Sequence, residues 1–293
     1  MSEKTAAPAG VFPSAPVWAM ETAHYERMLR SAATFTFTAD LKPESLAARA
    51  DVPLQVLPGG VGLIRIRGVM DKLPSLFLQL YGGTSTAAVR RTVEAAARDP
   101  KVSAILLAID SPGGSVDGLA ELGDAILAAR EVKPVVAQVD GWAASAAYYA
   151  ASQATKIYAH RMDMVGSIGV RLGLYDWHRL FEKEGVEAVP IDTGEHKSAG
   201  MQGTEITEAQ RAEFQRVVDG YFADFKAAVR RARNVPELDA LADGRMFFAA
   251  EAVESGLIDG VQSFEETLAG FAPSAAAPRR SRADLAIRMA EAE

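Results

Sequence analysis

The spacing of apolar residues changes repeatedly along the chain, and each change predicts an element. Residues 61–69 (VGLIRIRGV) are β-branched with an imperfect alternation, which predicts a strand. Residues 87–98 read as a helix that Asp99-Pro100 stops. The run 102–109 is nearly all apolar, as expected of a strand buried on both faces. SPGGS then makes a turn. Residues 119–130 place Leu119, Leu122, Ile126 and Leu127 on one helical face. After Lys133-Pro134, residues 135–139 predict a second buried strand, and 144–153 a helix that begins around Ser145. Short strands follow at 156–159 and 165–170, then a helix over 177–184 and an extended stretch over 186–191. A long amphipathic helix spans 208–233 and a short one 249–255, the latter ended by Gly256. Strand and helix alternate from 61 to 191, which predicts an α/β fold with mostly parallel pairing.

The flanks have a different texture. Residues 1–16 are rich in Ala, Pro and Ser and predict disorder. Residues 18–33 predict a helix with Trp18, Tyr25, Met28 and Leu29 on one side, suited to a docking arm. Residues 41–58 form a Pro-containing connector. Residues 272–283 are a flexible, slightly basic tail, and the closing LAIRMAEAE is helix-prone. These shifts divide the chain into an N-terminal arm and connector (1–58), a compact domain (59–270) and a tail (271–293).

Composition narrows the chemistry. The chain has no cysteine, which removes disulfides, thiol nucleophiles and thiolate metal sites. A net charge of -7 argues against nucleic acid as the main partner. No apolar run approaches the roughly 18–20 residues that span a bilayer, and the N-terminus lacks a signal-peptide layout. A cytoplasmic chain is expected.

Known nucleotide, zinc and hydrolase-elbow motifs (GxxxxGK[ST], GxGxxG, HExxH, GxSxG) are missing, and four scattered histidines make a poor metal set. No cofactor or metal is expected. Two stretches remain. In DSPGGSV (110–116) a buried strand ends in glycines, which can bring a backbone amide close to a developing oxyanion. The same letters also read as an ordinary strand-to-helix turn. In DGWAASAAYYAAS (140–152), Ser145 stands near a helix start among small residues that leave room for a peptide. It is either a nucleophile or a capping serine. A nucleophilic serine needs a base. His160, His178 and His196 have no clear carboxylate partner, and Lys197, in TGEHKSAG, is the other candidate.

DSPGG, DGWAASAAYYAAS, MVGSIGV and GEHKSAG, in that order, resemble the signal peptide peptidase A (SppA) family of serine–lysine peptidases. ADGRMFFAAEAVESGLIDGV is similar to that family's closing motif. The resemblance covers about residues 60–263 and implies a ClpP/crotonase-like spiral fold, here with an N-terminal helical arm and a flexible C-terminal tail. It implies Ser145 as nucleophile and Lys197 as general base, with Ser167 orienting the lysine. Gly114 and Ala146 would supply the oxyanion hole. Ala146 and Ala147 stand where many members carry glycine, and Ser198 where an aspartate is common. With no membrane span, the chain looks closer to the phage capsid (prohead) maturation branch than to the members that work at the membrane. Its partners would then be scaffold, portal or capsid polypeptides, met in the host cytoplasm or the prohead. A homo-oligomeric ring is also implied. The alternatives are a cytoplasmic signal-peptide-peptidase-like protease, an acyl-CoA enzyme on the same fold, or an inactive assembly scaffold.

Overall fold

A computed structural model describes residues 52–74, 78 and 82–271, together with the backbone of 17–20. Strands β1 (Val17–Met20), β2 (Gln55–Leu57), β3 (Val61–Arg67), β4 (Met70–Asp71) and β5 (Thr84–Ser85) precede helix α1 (Thr86–Arg98). Next come β6 (Ala104–Ser111), β7 (Gly113–Ser115), α2 (Leu119–Arg130), β8 (Val135–Ala144) and α3 (Ala146–Ser152). They are followed by β9 (Lys156–Ala159), β10 (Met164–Gly166), β11 (Arg171–Leu172), α4 (His178–Lys183) and α5 (Glu208–Ala232). The last elements are α6 (Leu238–Leu241), β12 (Met246–Phe248), α7 (Ala249–Glu254), β13 (Gly260–Val261) and α8 (Phe264–Ala269).

The strands form two sheets. The larger has the order β12-β10-β8-β6-β3-β2, with β9 joined to β8 and β13 to β9. Its central pairs, β3 with β6, β6 with β8 and β8 with β10, are all parallel. The smaller has the order β11-β1-β7-β4-β5. The chain winds between them: β3 leads into β4, β6 into β7, and β10 into β11. Each turn thus lays one strand in the large sheet and the next in the small one. This winding is the α/β spiral that the resemblance implied.

The strand expected over 102–109 is β6, Ala104–Ser111, buried on both faces from Ala104 to Ile109. Ile105, Leu107 and Ile109 pack with Val89, Val93, Leu122 and Ile126, and so carry α1 and α2. Leu106 and Ala108 turn the other way, toward Val61, Leu63 and Val136, with Phe264 and Leu268 of α8 at the margin. Each fully buried Leu or Ile contributes about 1.5–3 kcal/mol. Ser85 caps α1 by accepting from the Ala88 amide at 3.2 Å, and Thr207 caps α5 through the Gln210 amide at 3.3 Å.

Several expectations are corrected. Residues 17–20 are a strand and not the start of a helix, because β7 and β11 satisfy their backbone from both sides. The rest of the expected helix, 21–33, lies outside the described residues, as do 1–16 and 272–293. The SPGGS turn contains a strand, since Gly113–Ser115 pairs with β1 and β4. The strand expected over 135–139 runs on to Ala144 and delivers the chain directly to Ser145. The strand expected over 165–170 ends at Gly166, where Ser167 turns the backbone. The extended stretch 186–191 joins no ladder, and Val186, Val189 and Ile191 stand exposed.

Candidate active site

The register of two parallel strands builds the centre of the site. Ala143 pairs with Val165 and Ala144 with Gly166. One residue beyond that ladder, on each strand, stands a serine: Ser145 and Ser167. The Ser145 amide donates to the Gly166 carbonyl at 2.8 Å, and the Ser167 amide to the Arg245 carbonyl at 2.7 Å. Among the described residues these are the two non-glycine positions with positive φ, at 53° and 48°. That region is costly for a residue with a Cβ, on the order of 1–3 kcal/mol. Strain held at two adjacent serines, and at no other described side chain, marks the place where the fold imposes geometry.

Ser145 is 1% exposed and precedes α3, yet its side chain makes no capping bond. The hydroxyl instead donates to the Gly169 carbonyl at 3.4 Å, a long contact. Helix geometry leaves the first amides of α3, Ala146 among them, without intrahelical acceptors. On the other side, α3 packs against β7, which holds Gly114. Gly114 is buried, and a Cβ there would run into the Met70 carbonyl of β4. Only glycine permits that approach of the two strands. Gly141, three positions before Ala144, has φ 118°, and a Cβ there would come within 2.7 Å of an Asp110 carboxylate oxygen.

A family comparison decides what this arrangement belongs to. Residues 128–277, just over half of the chain, match peptidase family S49. The chain belongs to peptidase family S49. It is 29% identical to capsid assembly protease C of Escherichia phage lambda over 203 residues, covering 68% of this chain and 46% of that protein. It is 30% identical to the chloroplastic serine protease SPPA of Arabidopsis thaliana over 172 residues, 58% of this chain and 25% of that protein. The chain thus spans less than half the length of these two curated relatives. Among solved structures, the 1510-N membrane-bound stomatin-specific protease in complex with a substrate peptide aligns at 18% identity and a TM-score of 0.45. That alignment covers 71% of this chain and 77% of the other.

Within this S49 chain, the structure brings Ser145 and Ser167 together, with Ala146 and the β7 strand of Gly114 beside them. Lys197 makes no hydrogen bond to either serine among the described residues. It lies exposed on a turn at 195–200, its amide bonded to the Gly194 carbonyl, and its ammonium has no hydrogen-bond partner among the described residues. The histidines are no better placed. His160 and His196 are exposed, and His178 sits at 3.3 Å from the Gly203 carbonyl and 3.5 Å from Glu182. Burial pushes the Tyr148 and Tyr149 phenols well above their ordinary value, so neither is a base. Tyr148 donates to the Leu257 carbonyl at 2.8 Å and Tyr149 to Asp224 at 3.1 Å, both packing roles. A cavity of about 400 Å³ has Ser167 and Gly169 in its lining, and another of about 440 Å³ is lined by Val116, Leu119, Tyr149, Val170, Tyr221 and Phe225.

Two neighbours of the candidate site were not legible in the sequence. The Gly169 carbonyl, which accepts the Ser145 hydroxyl, is a backbone group and carries no side-chain signal. Asp163 braces the end of β8 before Ser145: one carboxylate oxygen accepts from the Gly141 amide at 3.1 Å, the other from the His160 amide at 2.7 Å. Burial raises its carboxyl above the ordinary range despite those two donors. Among the described residues no group of three or more His, Asp or Glu is arranged to hold a metal ion. No helix among them is long and apolar enough to cross a membrane.

Proposed function

We propose that this S49 chain is a serine endopeptidase working through a Ser145/Lys197 dyad. The observation that carries the reading is the paired backbone strain at Ser145 and Ser167, one residue past a shared ladder and beside the glycine strand. In the reaction the neutral Lys197 amine takes the Ser145 hydroxyl proton as the oxygen attacks the scissile carbonyl. The Gly114 and Ala146 amides receive the oxyanion. Lys197 then hands its proton to the leaving amine. A water, deprotonated by the same amine, releases the acyl group and restores the serine. Ser167 orients the lysine.

Lys197 reaches Ser145 when chains assemble. Its segment supports this reading: half of the large hydrophobic residues exposed among the described ones lie between 174 and 201, with Tyr175 65%, Val189 66% and Ile191 96% exposed. Apolar surface concentrated in this way marks a protein-binding face, and a homo-oligomer is the proposed use. The natural substrates are capsid, portal or scaffold polypeptides, a reading supported by the likeness to the lambda protease. The place of action is then the host cytoplasm or the prohead. Small neighbours around Ser145 and the apolar cavity favour small or apolar side chains next to the cut.

Ser145→Ala and Lys197→Ala should each lower peptide cleavage by about a thousandfold or more while leaving circular dichroism unchanged. Full activity in Lys197→Ala sinks the dyad. Because only the neutral amine accepts a proton, the rate should rise between about pH 6 and 9, and a flat profile argues against a lysine base. Co-expression with neighbouring capsid, portal and scaffold proteins should yield a cut that disappears in Ser145→Ala.

A further inference from the structure

Strand β1 lies where a bound peptide would have to lie. In the small sheet β7 and β11 each pair with β1 and not with each other. Without β1 they would border a slot one strand wide, about 10 Å across. One wall is Gly113–Ser115, which stands opposite Met20, Ala19 and Trp18 in antiparallel register. The other is Arg171–Leu172, opposite Trp18 and Val17. Both walls adjoin the nucleophile. Gly114 pairs with Ala19, and Gly169, two residues before the second wall, accepts the Ser145 hydroxyl at 3.4 Å. An extended chain in this slot therefore runs past Ser145, held by main-chain hydrogen bonds on both edges.

The resting chain is also closed. Ser145 is 1% exposed and Gly114 is buried. A nucleophile that has to meet a polypeptide needs something to move. The element paired with Gly114 is a short strand, separated in sequence from the peptidase domain by residues 21–51.

We infer that Val17–Met20 is an inhibitory strand, the chain's own occupant of the peptide groove, and that substrate enters only when β1 leaves. The inference rests on reading the groove as the peptide site. Substrate and β1 compete for the same backbone groups of β7 and β11. Because β1 is tethered, its occupancy follows its effective concentration and not the weak affinity of four residues. A groove open about one tenth of the time binds substrate about tenfold more weakly than an empty one.

The chain has no cysteine, which permits a clean test in the full-length protein. Val17 and Leu172 are directly opposed, and opposed antiparallel residues fall within disulfide range. In a Ser145→Ala background, Val17→Cys with Leu172→Cys should form a disulfide on oxidation. Binding of a fluorescein-labelled peptide of residues 14–23, read by anisotropy, should then weaken at least about tenfold and recover on reduction. Ala19→Pro, which removes a ladder donor from β1, should instead tighten binding by about tenfold. Failure of the disulfide to form, equal binding in the oxidised and reduced states, or unchanged binding in Ala19→Pro would overturn the inference. Binding is read without chemistry, so this outcome is separate from the peptidase reading, which fails if cleavage survives loss of Ser145 or Lys197.

Discussion

Ser145 sits in a conformation that a side chain makes costly, with φ 53° and ψ -116°. Strain of this kind survives only where the surroundings over-determine it. Here the Gly166 carbonyl holds the Ser145 amide, and the Tyr149 amide holds its carbonyl at 2.8 Å. Replacing the serine therefore separates chemistry from stability. Ser145→Ala and Ser145→Gly should both be inactive, but the glycine variant should be more stable than the alanine variant by about 1 kcal/mol. That corresponds to a melting temperature about 2–4 °C higher, measurable by calorimetry. Gly114 carries the opposite constraint. Gly114→Ala has to push its methyl into the Met70 carbonyl, which displaces the proposed oxyanion amide. Cleavage should fall by about a hundredfold or more, and retained activity would show that this amide is not used.

At the scale of elements, one carboxylate ties three segments together. Asp259, just before β13, accepts from the Ile157 amide of β9 at 2.8 Å and from Arg233, just after α5, at 2.7 Å, and pairs with Lys156 at 2.9 Å. Arg233 and Asp259 are 9% and 15% exposed. Burial works to raise the Asp259 carboxyl, but the Lys156, Ile157 and Arg233 donors outweigh it and hold it below the ordinary carboxylate value. A carboxyl lowered by folding stabilises above its unfolded pKa, about 4, and that stability is lost as pH falls through the folded value. Asp259→Asn leaves Arg233 without its counter-charge and should cost about 3 kcal/mol at pH 7. The variant should also lose less stability than the parent between pH 5 and pH 3. A denaturant series across that range checks both expectations.

At the scale of the whole molecule, the parts of the proposed site are divided. Ser145, Ser167 and Gly114 belong to the packed spiral, while Lys197 belongs to an exposed apolar segment. If assembly completes the dyad, a charge placed on that segment acts at a distance from the nucleophile. Ile191→Asp together with Trp177→Glu should shift the protein toward monomer in light scattering and lower cleavage in step, with the spiral's circular dichroism intact. Full activity in a monomer would separate assembly from catalysis.

Most elements were legible because their signals are local. Leu119–Arg130 has the predicted bounds, and the apolar run expected as a buried strand over 102–109 forms β6, Ala104–Ser111. Ser145 and Ser167 were readable as motif positions, as were the tyrosines that pack behind them. What was not legible depends on partners distant in sequence. Residues 17–20 look helical in isolation and become a strand because β7 and β11 each pair with them along one edge. The glycines of SPGGS look like a turn and become a strand for the same reason. The chain by itself therefore determined which segments must be buried and which residues could carry chemistry, since burial and reactivity are properties of side chains. Only the tertiary structure decided which backbone edges meet, because hydrogen-bonding groups are the same at every residue and acquire identity only from what the fold sets beside them.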